Sequence, residues 1–154
     1  MNNKIDNLET RKLLESDIGN FYEIRFSVKE NRIHPHQVHL LDRSLLVEQI
    51  SQGGGWICID TATNTPAGAC IPINGEVPMI GALFVRPEYH RRGIGERLLA
   101  LSLDWLEREG ARTVTLITDP GSNADRFYQR LGWARGSLDA YGVQIVFTKQ
   151  LGHG

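Results

Sequence analysis

A short stretch near the middle of the chain combines positive charge with glycine. The sequence EYHRRGIGERLL (residues 88–99) contains Arg91, Arg92, Gly93 and Gly95 between a strand-like apolar run and a leucine-rich run of helical period. The first turn of a helix leaves about four backbone N–H groups unpaired and carries partial positive charge. Glycines let a ligand approach these groups, and the arginines add full charges. The pattern predicts a binding site for a phosphate or diphosphate group.

This glycine pattern differs from two common nucleotide-binding loops. The dinucleotide fingerprint G-x-G-x-x-G would need a third glycine where Leu98 stands. The phosphate loop G-x-x-x-x-G-K-[ST] is absent from the sequence. A tight turn with exposed arginines is therefore the alternative that these residues alone leave open.

Length and charge limit the kinds of protein that would carry this loop. The 154 residues are enough for one domain, and a formal net charge of −1 argues against a general nucleic-acid binder. No run approaches the roughly 20 apolar residues of a membrane span, and the N-terminus lacks the apolar block of a secretory signal. We therefore expect one domain over residues 1–154, cytoplasmic, without a membrane or nucleic-acid partner.

The hydrophobic pattern predicts a mixed α/β domain of order β-α-α-β-β-β-α-β-α-β. The predicted strands lie at 8–14, 56–60, 67–73, 77–85, 113–118 and 143–151, and the predicted helices lie after residue 16, near 41–50, at 94–109 and at 124–131. The dipeptide Asn74-Gly75 is typical of a hairpin turn and makes the middle strands an antiparallel meander. Gly81, inside the last of these strands, predicts a bulge or a close backbone approach.

Two segments resemble motifs of the GNAT superfamily of N-acetyltransferases. LFVRPEYHRRGIGERLL (residues 83–99) is similar to the family's pyrophosphate-binding motif, R/Q-x-x-G-x-G/A at the start of a long helix. NADRFYQRLGW (residues 123–133) is similar to the second motif, in which an aromatic-Tyr pair is followed by Gly-aromatic. The order and separation of the motifs match the family, and the resemblance covers nearly the whole chain. It implies a central mixed, mostly antiparallel sheet flanked by helices, and acetyl-CoA as the donor cosubstrate.

The resemblance also implies which residues contact the donor. The diphosphate is expected on the amides and side chains of Arg91, Arg92, Gly93, Ile94, Gly95 and Glu96. The pantetheine arm is expected to pair with the backbone of Leu83, Phe84 and Val85 like an added strand, in a gap where this strand diverges from the next one. Tyr128 occupies the position of the general acid that protonates the leaving thiolate.

Two positions depart from the family pattern. The first motif position, normally Gln or Arg, is His90, so Arg91 and Arg92 are expected to supply the charge while the role of His90 stays open. An asparagine often found seven residues before the family's tyrosine is Gly121, and Asn123 is the candidate to replace it as a cofactor contact.

The general base is not readable from the pattern. A lysine-like amine has a pKa of about 10.4, so supplying its neutral form at pH 7 costs roughly 4.6 kcal/mol unless a base removes the proton. Many family members carry a glutamate within the strand matched here by residues 77–85, but this strand has none. Glu76, at its start, and Glu30, at the end of the first helix, are the two candidate bases. Arg25 and Asn31 are the polar groups expected to contact the acceptor.

Three histidines follow the first helix in the spacing H-x-H-x-x-H: His34, His36 and His39. This spacing raises the question of a metal site, but no cysteine or carboxylate cluster joins the histidines in the sequence. We therefore predict no metal and place these residues in a loop beside the acceptor site.

The leading hypothesis is acetyl transfer to a primary amine, of a small molecule or a protein, by direct attack in a ternary complex. The alternatives are an acyltransferase that uses another acyl-CoA or a hydroxyl acceptor, a non-catalytic acyl-CoA-binding or regulatory domain, and a protein-interaction module. No feature of the sequence selects the acceptor. Dimers are common in the resembling family, so a homodimer is one expected form.

Overall fold

The computed structural model of the protein describes residues 7–30 and 33–152. The strands are β1 (Leu8–Lys12), β2 (Trp56–Asp60), β3 (Thr65–Ile73), β4 (Met79–Val85), β5 (Thr113–Thr118), β6 (Ala134–Leu138) and β7 (Ile145–Gln150). The α-helices are α1 (Ile18–Ser27), α2 (Arg43–Ser51), α3 (Ile94–Arg108) and α4 (Asn123–Arg130). Within the described ranges, no helix is long and apolar enough to cross a bilayer.

The strands form one seven-stranded sheet in the order β1-β2-β3-β4-β5-β7-β6. All neighbouring strands are antiparallel except β4 and β5, which are parallel. The predicted class, a mixed and mostly antiparallel sheet flanked by helices, is confirmed.

The sheet contains one strand more than the predicted element order, because the sequence pattern predicts no strand over the residues of β6. All five residues of its sequence, ARGSL, are exposed. A strand that pairs with only one neighbour, β7, and buries neither face shows no alternation of apolar and polar residues.

The bulge predicted at Gly81 is confirmed. Ile71 pairs with Ala82 and Pro72 pairs with Ile80, which leaves Gly81 as the extra residue of β4. A Cβ at this position would lie 2.6 Å from Cδ1 of Ile73, so a side chain would not fit beside that neighbour. The bulge turns β4 away from the regular ladder just before the point where β4 and β5 separate.

The strands β4 and β5 meet at one point and then diverge. Among the described residues, their pairing consists of Met79 with Thr115, supported by a 3.1 Å hydrogen bond from the Thr115 N–H to the carbonyl of Pro78. Because the strands are parallel, the same register would bring Leu83 level with Asp119. A gap therefore opens between the two strands toward their carboxyl ends, as the family resemblance implied.

The helices cover the two faces of the sheet unequally. On one face, α3 and α4 contribute to a core that reaches from β2 to β7 and includes Leu98, Leu116 and Phe147. On the other face, α1 and α2 pack over the first four strands around Phe21, Ile24 and other apolar residues. Among the described residues, that second core contains no member of β5, β6 or β7. On this face, α1 therefore borders the gap along β4, and the side of the gap formed by β5 is not part of this core.

Candidate active site

The loop between β4 and α3 is a tight turn that exposes its basic residues. Arg91 has a φ of +68° and Gly93 a φ of +78°, both in the left-handed region, and α3 begins directly afterwards at Ile94. Arg91, Arg92 and Gly93 are exposed. Gly93 accepts the first intrahelical bond of α3, from the Arg97 N–H at 3.0 Å. The amide N–H groups of residues 94–96 precede that bond and have no partner within the helix.

Two residues of this loop are held by contacts within the protein. The Arg92 guanidinium lies 5.1 Å over the ring of Tyr89, whose hydroxyl donates a 2.5 Å hydrogen bond to Asp60. The His90 imidazole donates through Nε2 to the carbonyl of Val85 at 2.9 Å. His90 therefore holds the loop against the end of β4, and this contact gives the histidine a structural role.

The backbone of β4 alternates between β3 and the gap. The Arg86 N–H donates to the carbonyl of Ala67 at 2.8 Å, and Phe84 pairs with Ala69 two residues earlier. Hydrogen-bonded pairs recur at every second residue of an antiparallel ladder, so the main-chain groups of Phe84 also face β3. Those of Leu83 and Val85 consequently point into the gap. Of the three residues expected to pair with the pantetheine arm, Leu83 and Val85 therefore present main-chain groups to the gap, and the Val85 carbonyl already accepts a hydrogen bond from His90.

Tyr128 lies on α4 beside the gap. Its ring is 5 % exposed and packs against three aromatic rings, with centroid distances of 5.1 Å to Phe127, 5.4 Å to Trp133 and 5.8 Å to Phe147. Burial raises the pKa of the hydroxyl above its ordinary value, and the nearby Cys70 thiol adds to this effect. Cys70 pairs with Leu83 across β3 and β4, and Tyr128 belongs to the same hydrophobic core as these two residues. A hydroxyl in this environment stays protonated and can donate.

The turn into α4 explains why residue 121 is a glycine. Gly121 has a φ of +79°, a conformation that side chains disfavour, and its N–H donates to Oδ2 of Asp125 at 2.9 Å. Asp125 is buried and also accepts hydrogen bonds from Nε of Arg135 at 3.0 Å and from Nη2 of Arg135 at 2.9 Å. These hydrogen bonds, first the one from Arg135, hold the pKa of the Asp125 carboxyl well below its usual range. The pair fixes the start of α4, and with it Tyr128.

The two candidate bases lie at opposite ends of the gap. Oε1 of Glu30 accepts a 2.8 Å hydrogen bond from the backbone N–H of Asn123, at the N-terminus of α4 and the open end of the gap. The side chain of Asn123 accepts a hydrogen bond from Arg126. Glu76 is exposed in the hairpin before β4, near Met79 and the closed end.

A polar network that sequence reasoning missed lies at the open end of the gap. Nε2 of His34 is 2.8 Å from Oδ1 of Asp119, and the same oxygen accepts from the Gln144 amide at 3.0 Å. Gln37 donates to the Gln144 side-chain oxygen at 2.8 Å. The pairs are separated by 85 and 107 residues in sequence, so no local motif announces them. Asp119 follows β5 directly, at the level of Leu83 in the parallel register.

The three histidines do not converge on a common point. His34 faces Asp119, and its ring stacks on that of His36 with centroids 5.9 Å apart. The His36 ring also stacks on Tyr141 at 3.9 Å, whereas His39 is exposed. Residues 7–30 and 33–152 contain no group of three or more His, Cys, Asp or Glu side chains arranged to hold a metal ion.

Arg25 projects from α1 onto the strand that borders the gap. It is 8 % exposed, and its guanidinium carbon lies 4.8 Å over the ring of Phe84. The second residue expected to contact the acceptor, Asn31, lies outside the described residues.

Comparison with known proteins identifies this architecture. The profile of the acetyltransferase (GNAT) family matches residues 18–133. Mycothiol acetyltransferase of Cellulomonas flavigena is 35 % identical over 98 residues, which are 62 % of this chain, and the chain spans 27 % of the length of that relative.

Solved structures show the same fold at low sequence identity. The PaiA N-acetyltransferase of Thermoplasma acidophilum, solved with coenzyme A, is 17 % identical with a TM-score of 0.74, covering 94 % of this chain and 99 % of its own. A GNAT-family acetyltransferase of Staphylococcus aureus Mu50 is 16 % identical with a TM-score of 0.77, over 94 % and 99 % of the two chains. The family profile covers most of the chain and includes both motifs, and on that ground this protein belongs to the GNAT family of acetyltransferases.

Proposed function

We propose that this protein transfers the acetyl group of acetyl-CoA to a primary amine by direct attack in a ternary complex, with Tyr128 as general acid. The observation that carries the proposal is the gap between β4 and β5, which opens next to the unpaired amides of α3 and has Tyr128 at its side. The solved relative that holds coenzyme A supports the choice of donor.

The donor would lie along the gap. Its diphosphate would rest on the amides of residues 93–96 and on the side chains of Arg91 and Arg92, where the helix N-terminus and two cations favour negative charge. Its pantetheine amides would pair with the main chain of Leu83 and Val85, as an additional strand would. Asn123, at the start of α4, would border the other side of the arm.

The chemistry requires one bond to form and one to break. The amine nitrogen attacks the thioester carbonyl, a C–N bond forms, and charge develops on the carbonyl oxygen, where an N–H group of β4 that faces the gap would stabilise it. The C–S bond then breaks, and Tyr128 donates its proton to the departing sulfur. The proton that the amine nitrogen loses passes to a base or through water to solvent.

The structure adds His34 to the two candidate bases, Glu30 and Glu76. A carboxylate that holds one ring nitrogen of a histidine orients the ring and leaves the other nitrogen to accept a proton. In the His34–Asp119 pair the nitrogen held is Nε2, at 2.8 Å. Replacing each of the three candidates by Gln in turn, and comparing kcat at saturating amine, separates them. The base is the position whose replacement lowers kcat most while the Km for acetyl-CoA stays unchanged.

The experiment that tests the proposal combines binding with turnover. Calorimetry with acetyl-CoA is expected to show one site, which the Arg91→Ala, Arg92→Ala double variant weakens by about tenfold or more at low salt. The matched control is the Arg108→Ala, Arg112→Ala double variant, which removes two exposed arginines at the opposite end of α3. A screen of primary amines, detecting released thiol, is then expected to find an acceptor.

The same screen decides between the proposal and its alternatives. Binding of acetyl-CoA without thiol release for any amine would favour a non-catalytic acyl-CoA-binding domain. Faster turnover with a longer acyl-CoA, or with alcohols than with amines, would favour the other acyltransferases. Failure to bind acetyl-CoA would overturn the proposal itself.

A further inference from the structure

Arg25 is a buried cation that pairs with no carboxylate of residues 7–30 or 33–152. The side chain is 8 % exposed, and its Nε is completely buried without a hydrogen-bond partner. Burial lowers the pKa of the guanidinium, and no carboxylate contributes to that pKa. The ion pairs found among the described residues do not include Arg25.

Three acidic residues on or beside α1 are engaged elsewhere. Glu23 pairs with Arg86 at 3.0 Å, and Asp17, before the helix, pairs with Arg11 at 2.8 Å. Glu30 accepts from the Asn123 amide at 2.8 Å. None of these three carboxylates forms an ion pair with Arg25.

Such an arrangement reduces the stability of the free protein. Removing a charge from water without pairing it is strongly unfavourable, and stacking on Phe84 recovers only part of the loss. Ionisable groups whose electrostatics are perturbed by desolvation in this way are concentrated at functional sites. A planar guanidinium is suited to two oxygens of a carboxylate or a phosphate, and the Nε of Arg25 has no partner among the described residues.

The position of Arg25 shows which substrate would supply that anion. Arg25 lies on the face of the sheet covered by α1 and α2, against Phe84 of the strand that borders the gap. Tyr128 belongs to the core on the opposite face, with α3 and α4. If the donor enters from the α3 and α4 side, as the proposed function requires, the amine must reach the thioester from the side of Arg25.

We infer that Arg25 binds an anionic group of the acceptor, a carboxylate or a phosphate, so that the substrate is a primary amine that also carries negative charge. Amino acids and phosphorylated amines are such compounds. The inference rests on the proposed function for the identity of the reacting amine, but the anion site itself does not depend on turnover.

The first test needs no acceptor. Arg25→Met keeps an unbranched apolar side chain beside Phe84 but removes the guanidinium and its charge, and we expect its melting temperature to rise by about 2–4 °C. The control is Arg108→Met, an exposed arginine whose replacement should leave the melting temperature unchanged. A melting temperature of Arg25→Met equal to or below that of the wild type would show that Arg25 is a structural residue and would overturn the inference.

The second test compares matched acceptors. β-Alanine is paired with β-alaninamide and O-phosphoethanolamine with ethanolamine, and kcat/KM is measured for wild type, Arg25→Met and Arg108→Met. We expect at least one anionic member to lose about tenfold or more of its advantage in Arg25→Met, with Arg108→Met unaffected. Taking the ratio between enzymes cancels the difference in amine basicity within each pair. The pair that responds distinguishes a carboxylate from a phosphate.

The outcomes separate the two proposals. Turnover with no change of preference in Arg25→Met would overturn the anion site and leave the acetyltransferase proposal intact. If no amine is used, the acetyltransferase proposal is the one that fails, and the melting temperatures alone decide whether Arg25 awaits an anion. Weaker acetyl-CoA binding by Arg25→Met, with the acceptor preference kept, would assign Arg25 to the donor and overturn the inference.

Discussion

The replacement of Tyr128 by Phe removes one oxygen and leaves the ring in place. The ring is packed on three aromatic neighbours, and among the described residues no hydrogen bond of the hydroxyl is found, so no partner loses its bond. We therefore expect the melting temperature to change by less than about 2 °C and the affinity for acetyl-CoA to be preserved.

The catalytic effect of the same replacement should be large. If the hydroxyl protonates the leaving thiolate, its loss lowers kcat by about 10² to 10⁴, or roughly 2.7 to 5.4 kcal/mol of transition-state stabilisation. The loss should fall on kcat because charge develops on sulfur only as the C–S bond breaks. Because burial raises the pKa of Tyr128 above its ordinary value, the wild type should show no fall in kcat below about pH 10 from ionisation of this group.

Single-turnover and steady-state kinetics at saturating acetyl-CoA measure this effect, with a melting curve as the folding control. A second variant, Phe127→Leu, changes the neighbouring ring and keeps the hydroxyl, and should retain most of kcat if the hydroxyl is what matters. A folded Tyr128→Phe enzyme whose chemical step stays within about threefold of wild type would refute the assignment, because a positioned acid contributes far more.

Three further predictions concern the loop and the start of α4. Gly95→Ala should keep the melting temperature, since its Cβ would meet Phe127 and Val85 at an ordinary 3.6 Å, but should weaken acetyl-CoA binding about tenfold by calorimetry. Gly93→Ala, at φ +78°, should instead destabilise the fold by about 1–2 kcal/mol. The reverse pattern would contradict the proposed position of the diphosphate on this loop. Arg91→Gly should raise the melting temperature by about 1–3 °C by relieving φ +68° and should weaken acetyl-CoA binding more at low than at high salt, whereas salt-independent weakening would exclude a charge contact. Asp125→Asn should lower the free energy of unfolding, measured in urea at pH 7, by about 2–3 kcal/mol. Because the pKa of Asp125 is lowered in the folded state, the difference from wild type should be constant above about pH 5 and shrink as the pH falls below the unfolded pKa near 3.9. A difference that grows at low pH would contradict the prediction.

Local patterns in the sequence were enough to predict most of the fold. The helical period of α3 and the bulge at Gly81 each depend on residues within a few positions, and the structure contains both. The antiparallel pairing of β3 with β4 that Asn74-Gly75 predicted is also present, but the connection spans residues 74–78 instead of two residues, and neither Asn74 nor Gly75 has a positive φ. The exposed strand β6 was missed because it buries no side chain, and burial is what produces a readable pattern.

The site divides in the same way. The donor loop is a continuous segment, so residue type and spacing describe it. The His34–Asp119 pair joins residues 85 positions apart, and the isolation of Arg25 depends on what every neighbouring acid already binds. Neither property exists in the sequence until the fold brings distant side chains together. Gly121 shows the converse, because its left-handed backbone explains a departure that the family motif alone left open.

The single point of pairing between β4 and β5 has a mechanical consequence. Two half-sheets, β1–β4 and β5–β7, are joined at the rung of Met79 and Thr115 and share a core on only one face. A cofactor arm hydrogen-bonded to Leu83 and Val85 would occupy the gap between these halves. Without the cofactor, we expect this open edge of β4 to fluctuate. The amide protons of Leu83 and Val85 should then exchange with solvent faster than the amide proton of Phe84, which faces β3. Acetyl-CoA would then be a structural element of the sheet as well as a reactant, because it would slow amide exchange along the gap until the product leaves.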